Sequence, residues 1–131
     1  ILTPHEIELK RLIGDWKDDY KRIEKTKSFA KEHKLIIVSK SAHTAIFSPS
    51  GEIYFNSTGN PGMGTAGSGD VLTGIITGHI AKGFEPLDAA IFSVFLHGFS
   101  GDLAKQQLGE ESLIASDIIN YLPLAYKQLF G

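Results

Sequence analysis

The chain has 131 residues, 42% hydrophobic and 21% charged, with a net charge of −2 and no cysteine. That suits a globular unit with one core and gives no general pull toward nucleic acid. It excludes disulfides, thiol catalysis and thiolate zinc sites, and fits a reducing, cytoplasmic setting. No apolar run approaches the roughly 18 residues of a membrane span, and the start lacks the basic-then-apolar layout of a signal peptide.

Ile1-Leu2 reads as the tail of a buried strand, with no initiator Met before it. We therefore expect a fragment of a longer protein. Pro4 precedes a short helical pattern, Ile7, Leu9, Leu12 and Ile13, which Gly14 ends. Residues 18–34 are rich in both signs of charge, and Tyr20, Ile23, Lys27 (by its alkyl stem) and Ala30 share one face. This predicts an amphipathic surface helix with a solvated outer face rather than a basic binding patch.

Leu35-Ile36-Ile37-Val38 is a short apolar run, suited to a strand buried on both faces. Thr44-Ala45-Ile46-Phe47 and Ile53-Tyr54-Phe55 flank the turn Pro49-Ser50-Gly51-Glu52 and predict a hairpin.

Five glycines, Gly59, Gly62, Gly64, Gly67 and Gly69, then fall within eleven residues and run into a helical pattern. Glycines let a backbone approach a ligand and adopt positive φ. A helix start presents unpaired N–H groups and a positive dipole end, which favour an anion. Gly67, Ser68 and Gly69 are thus candidates for an anion hole. Asp70, an acid at that junction, does not help to bind phosphate. Either it caps the helix, or it takes the proton of a hydroxyl that attacks the phosphate. No Lys-Ser/Thr follows the last glycine, so this is not a Walker loop.

Val71, Leu72, Ile75, Ile76 and Ile80 form an apolar stripe on the next helix. Gly74 and Gly78 lie on one side, where another helix could pack closely, and Gly83 ends the helix. Pro86 starts a largely apolar helix through Leu103. Ser116-Asp117 caps a final helix, which Pro123 is expected to kink or split. Trp16, Phe92, Phe95 and Phe99 read as core. The pattern gives one α/β unit over residues 1–131, strands early and helices late.

Lys40 follows the buried run, at the carboxyl end of a strand, where α/β sheets collect ligands. It is either near a nucleotide phosphate or an ordinary turn lysine. His5, at the mouth of the Ile1-Leu2 strand, is a ligand contact or a polar helix-start residue. His97 reads as a hydrogen-bonded core histidine. His33, His43 and His79 lack metal-ligand spacing.

Asn60-Pro61-Gly62-Met63-Gly64-Thr65-Ala66-Gly67-Ser68-Gly69-Asp70-Val71-Leu72-Thr73-Gly74 resembles the glycine-rich motif of the NAD(P)H-hydrate dehydratases, in the ribokinase superfamily. Leu2-Thr3-Pro4-His5 with Glu8, Val38 to Thr44, His97 to Ala104 and Ala115 to Ile119 resemble further family segments in the same order. The family's enzymes are about twice as long, and this chain resembles their C-terminal half. The resemblance implies part of a ribokinase-like three-layer α/β/α domain. It implies ADP- or ATP-driven dehydration of hydrated NADH or NADPH, with Mg2+ accompanying the nucleotide. Asp70 would be the base and a substrate contact, with His5 and Asn60 also on the substrate. Lys40, Ser41, Ala42, His43, Thr44 and Gly69 would contact the nucleotide. Glu6-Ile7 stand where the family has Pro-Gly, Ser41 replaces a glycine and His43 a small residue, each adding bulk. A small-molecule kinase of the same superfamily, or a non-catalytic adenylate binder, would need many of the same features. An incomplete domain exposes apolar surface, so a homo-oligomer is expected.

Overall fold

A computed structural model describes residues 1–131, which group into two compact units, Ile1–Asn56 and Ser57–Gly131. The first holds helix α1 (Glu6–Ile13), helix α2 (Asp19–His33) and strands β1 (Ile37–Ser39), β2 (Ala45–Phe47) and β3 (Ile53–Phe55). The second holds a 3-10 turn, Pro61–Met63, and helices α3 (Ser68–Ala81), α4 (Pro86–Leu108) and α5 (Ala115–Phe130).

In the first unit the sheet is antiparallel in the order β1-β2-β3, with Ile37 opposite Phe47 and Ile46 opposite Tyr54. Leu2 adds a parallel bridge to Ile37: its N–H donates to Ile36 O at 2.9 Å, and its carbonyl accepts from Val38 N–H at 2.8 Å. β1 and β2 are buried throughout, as the apolar run predicts. Ala30, Ile37, Ala45 and Phe47 make the core, with Ile23, Phe29, Leu35 and Ile53 packed on it. Burying a side chain such as Phe47 contributes about 1.5–3 kcal/mol.

α2 buries the later part of the expected face, with Ala30 in the core and Ile23 packed on it, but not its start. Tyr20 is 73% exposed, while Thr26 and Ala30 are buried. The core lies under the helix from Ile23 onward, so Tyr20 falls outside it. Thr26 is tolerated because its hydroxyl donates to Arg22 O at 2.7 Å. The helix ends at Lys34, left-handed at φ 53°; Lys34 N–H donates to Lys31 O and Leu35 N–H to Ala30 O. That pair of bonds is a Schellman stop. It turns the chain sharply, which delays β1 to Ile37 although the apolar run begins at Leu35.

In the second unit Leu96, Leu103 and Ala125 form one cluster and Ala104, Leu113 and Ile118 another, bringing α3, α4 and α5 together. The stripe on α3 is the expected one through Val71, Leu72, Ile75 and Ile76 and departs only in the last turn. Ile80 is 41% exposed and His79 is buried in its place. His79 has polar partners on both sides: Nδ1 lies 2.7 Å from Ser93 Oγ and Nε2 2.6 Å from Tyr126 Oη. Phe84 and Phe92 stack or tilt against its ring. Burial, aided by the Lys82 charge, holds the His79 pKa below its ordinary value, and burial raises that of Tyr126.

Two further expectations are corrected. Gly74 and Gly78 do not mediate close helix packing, since a Cβ at either would meet nothing within 4 Å. α5 begins at Ala115, with Asp117 accepting from Ile114 N–H at 2.9 Å, and runs unbroken through Pro123. Phe92 and Phe99 pack against the Leu96, Leu103 and Ala125 cluster as expected, half-buried, as are Phe95 and Trp16; Lys10 Nζ sits 5.1 Å from the Trp16 ring centre.

Candidate active site

Each unit carries part of the expected residue set. In the second, the chain from Thr58 to Gly67 lies along α4. Thr58 Oγ1 donates to Phe95 O at 2.8 Å. Gly59 N–H donates to Asp102 Oδ2 at 2.9 Å, and Asn60 Nδ2 donates to Asp102 Oδ1 at 2.8 Å. Asn60 Oδ1 in turn accepts from Gly62 N–H at 3.1 Å. Gly98 and Gly101 make room for this loop. A Cβ on Gly98 would lie 2.2 Å from Thr58 Oγ1, and one on Gly101 2.2 Å from the Met63 sulfur.

The loop ends at Gly67, which precedes α3 with φ 88° and offers no side-chain cap. This conformation favours glycine. The bare start leaves helix N–H groups to be satisfied from outside the chain. Ser68 N–H is not among them, because it donates to Thr65 O at 3.2 Å. Ser68 is buried, and its carbonyl lies 3.0 Å from His97 Nε2. A carbonyl only accepts, so Nε2 carries the ring proton. His97 is thus hydrogen-bonded at the helix start. Asp70, on the first turn of α3, is exposed. A groove of about 530 Å³ runs from Asp70 past Gly74 and Gly78 to Lys82, with Ile119 and Tyr126 of α5 on its far wall.

In the first unit, Lys40 follows β1 and is half-buried, with its N–H donating to Pro4 O at 3.0 Å. The next residues close their own turn. Ser41 Oγ donates to His43 O at 2.9 Å and accepts from His43 N–H at 3.2 Å, while Thr44 Oγ1 donates to Ser41 O at 3.4 Å. Ser41, Ala42 and His43 are exposed. Together with Lys40, Trp16 and Arg22 they line a pocket of about 310 Å³.

His5 is the N-cap of α1. Its Nδ1 accepts from Glu8 N–H at 3.3 Å and its own N–H donates to Glu8 Oε2 at 2.9 Å. This is the reciprocal capping arrangement. The His5 N–H is the main reason that the Glu8 carboxyl is held below its ordinary pKa; nearby charges of His5, Lys40 and Arg11 add to this, and desolvation opposes it. The polar helix-start reading of His5 therefore holds, with the ring still half-exposed.

Asp102 is the residue that sequence reasoning passed over. It lies in the His97-to-Ala104 segment, which drew notice only as a likeness. Two small residues three apart in a buried helix, Gly98 and Gly101, were the available sign that a backbone or side chain lies against that face.

Comparison with solved structures identifies the class. A ribokinase-like superfamily protein from Enterococcus faecalis V583 matches with TM-score 0.83 and 32% identity, over 97% of this chain and 44% of that one. The ADP/ATP-dependent NAD(P)H-hydrate dehydratase from Bacillus subtilis, co-crystallised with ATP/Mg2+, matches with TM-score 0.90 and 32% identity, over 97% of this chain and 47% of that one. The fold is ribokinase-like α/β.

The sequence narrows this to a family. The bifunctional NAD(P)H-hydrate repair enzyme of Moorella thermoacetica is 44% identical over 131 residues, covering 98% of this chain and 25% of that protein. The family model described as NAD(P)H-hydrate dehydratase matches residues 1–124, and the chain belongs to that family. It spans between a quarter and about half of the length of these relatives.

Proposed function

We propose that these residues form part of one ribokinase-like domain that dehydrates hydrated NAD(P)H with ADP or ATP as phosphoryl donor. The observation that carries this reading is the uncapped start of α3 behind a glycine loop hydrogen-bonded to α4, with exposed Asp70 on its first turn. The helix N–H groups suit the transferring phosphoryl group.

The substrate hydroxyl oxygen attacks the terminal phosphorus, and Asp70 takes the hydroxyl proton. The bond from phosphorus to the bridging oxygen breaks, and its electron pair stays with the departing AMP or ADP. The phosphate then leaves with the C–O electron pair, pushed out by the ring nitrogen lone pair. Loss of a proton from the neighbouring carbon restores the C=C bond. The loose transition state asks for alignment more than for a strong base.

Gly67, Ser68 and Gly69 are assigned to the anion hole, with Ser68 contributing through its position rather than its engaged N–H. Lys40, Ser41, Ala42, His43, Thr44 and Gly69 are assigned to the nucleotide. His5, Asn60 and Asp70 are assigned to the hydrate, and Asn60 also shapes its own loop. No cluster of three or more imidazole and carboxylate groups is arranged to hold a metal. Magnesium is assigned to the nucleotide phosphates, the usual arrangement for this ion.

The test is Asp70→Asn in the full-length protein, with nucleotide, magnesium and hydrated NADH. Nucleotide binding is expected to persist while kcat falls by about 10²–10⁴. Undiminished turnover overturns the base assignment. Wild-type protein that binds nucleotide but never restores NADH absorbance points instead to a kinase acting on another alcohol.

No helix is long and apolar enough to cross a membrane, and the reading assigns the protein to the cytoplasm. Exposed Ile114, Ile119, Leu124 and Phe130 support self-association. A purely monomeric species in light scattering at high concentration would refute this.

A further inference from the structure

We infer that Asp102 is the positioning residue of the phosphate-binding loop, acting through a polarity-matched pair with Asn60. The inference rests on the dehydratase reading for its effect on turnover, but its geometric part stands alone.

The loop from Thr58 to Gly67 has few means of holding itself. Five of its ten residues are Gly or Ala, with short side chains or none. Its own backbone bonds, such as Gly64 N–H to Pro61 O at 3.0 Å, close only short turns; glycine loses more freedom on ordering than any other residue, so the placement of the loop must be imposed from outside. α4 imposes it at three points. Gly98 admits Thr58, whose hydroxyl donates to Phe95 O at 2.8 Å. Gly101 admits the Met63 side chain. Next to Gly101, Asp102 takes one N–H from the backbone of Gly59 and one from the side chain of Asn60, one on each carboxylate oxygen.

The second contact makes Asp102 more than a peg. Asn60 relays it: with Nδ2 turned to Asp102, its Oδ1 faces Gly62 and accepts that N–H at 3.1 Å. Asn60 O meanwhile accepts Met63 N–H at 3.1 Å, closing the 3-10 turn. Asp102 thereby fixes which way the Asn60 amide points. The amide fixes the turn at 60–63, four residues before the left-handed Gly67 that opens α3. An acceptor-only carboxylate is required at 102 as long as residue 60 is an amide, since both groups facing it are donors.

Asp102→Asn places an NH2 group against either Gly59 N–H or Asn60 NH2, a donor facing a donor in both flips. Asn60→Asp places a carboxylate against a carboxylate. The double variant Asn60→Asp/Asp102→Asn restores every bond. Asn at 102 accepts from Gly59 and donates to Asp at 60, which still accepts from Gly62. The number of charges is unchanged.

The experiment uses full-length protein in four forms: wild type, the two single variants and the double. Hydrogen exchange over residues 57–66, melting temperature, nucleotide binding, and kcat and KM are measured on each. Both single variants are expected to exchange about tenfold or more faster over 57–66. Their kcat should fall about a hundredfold, the scale of a misplaced reacting group. The double variant is expected to recover exchange protection and most of kcat. A role in stability alone would lower melting temperature and leave the kcat of the folded fraction intact, which overturns the positioning inference. So does a double variant as impaired as the worse single one, or unchanged exchange in Asp102→Asn. An inactive wild type would refute the dehydratase reading, while exchange and its rescue still decide the role of Asp102.

Discussion

The two units hold their loops by different means. In the first, polar side chains bond neighbours in sequence. Ser41 bonds His43 two residues on, His5 bonds Glu8 three residues on, and Ser48 bonds Glu52 four residues on. In the second, the glycine loop also closes local turns, but the bonds that seat it on α4 and bury His79 span long stretches of chain. Gly59 to Asp102 covers 43 residues and His79 to Tyr126 covers 47. A loop that closes on itself survives changes elsewhere. A loop laid along a distant helix is only as well placed as that helix.

The most severe way to break the second arrangement is Gly98→Ala. The added Cβ would lie within 2.8 Å of the Thr58 hydroxyl, carbonyl carbon and carbonyl oxygen, two of them backbone atoms. We expect a loss of about 2–3 kcal/mol in denaturant unfolding. Gly101→Ala should cost less, because the Met63 side chain that it meets can rotate. Equal costs for the two would show that the backbone of the loop is not pinned at Thr58.

Acid offers a milder probe. Burial lowers the His79 pKa from its ordinary 6.5, with the Lys82 charge adding to the effect. The folded chain then binds fewer protons than the unfolded one. The stabilising contribution is complete above the unfolded pKa and is lost as pH falls through 6.5 toward the lower folded value. Tyr126 and Ser93 face the ring, Lys82 lies nearby, and no carboxylate bonds it. Melting temperature should therefore drop from pH 7 to pH 5, and the His79 ring should titrate below 6.5 in NMR. A ring that titrates above 6.5 would contradict the buried, neutral assignment.

The smallest effect belongs to the locally closed turn. Hydrogen bonds from Ser48 and Ser50 lower the Glu52 pKa from 4.5 to about 2. This contribution is present above 4.5 and is lost as pH falls from there to about 2. Ser50→Ala should move the Glu52 pKa back toward 4.5 in NMR, with little change in stability at pH 7, because Ser50 and Glu52 are both exposed. No movement would mean that the serine hydroxyls do not hold the carboxylate.

The same contrast decides what was legible in the sequence. The hairpin, α1 with its Gly14 stop and the glycine-to-helix junction are encoded by neighbours, and all were readable. The face of α2 is legible at Ile23 and Ala30 but not at Tyr20, which is apolar enough for a core that does not reach it. The phase of α3 is legible through Ile76, and only its last turn departs, because His79 looks polar until Ser93 and Tyr126, from two other helices, satisfy it. Asp70 stood out by sitting beside glycines. Asp102 serves the same loop from 43 residues away, and no local pattern announces such a partner.

One consequence of the loop concerns chemical ageing. Asparagine side chains deamidate when the following backbone nitrogen attacks the amide carbon, and the resulting aspartate would set two carboxylates against each other at residues 60 and 102. Here the following residue is Pro61, which has no N–H to give up. The ring closure that spoils so many Asn-Gly sequences is blocked at this position. The amide that keeps the loop in register is guarded against slow decay by its own neighbour.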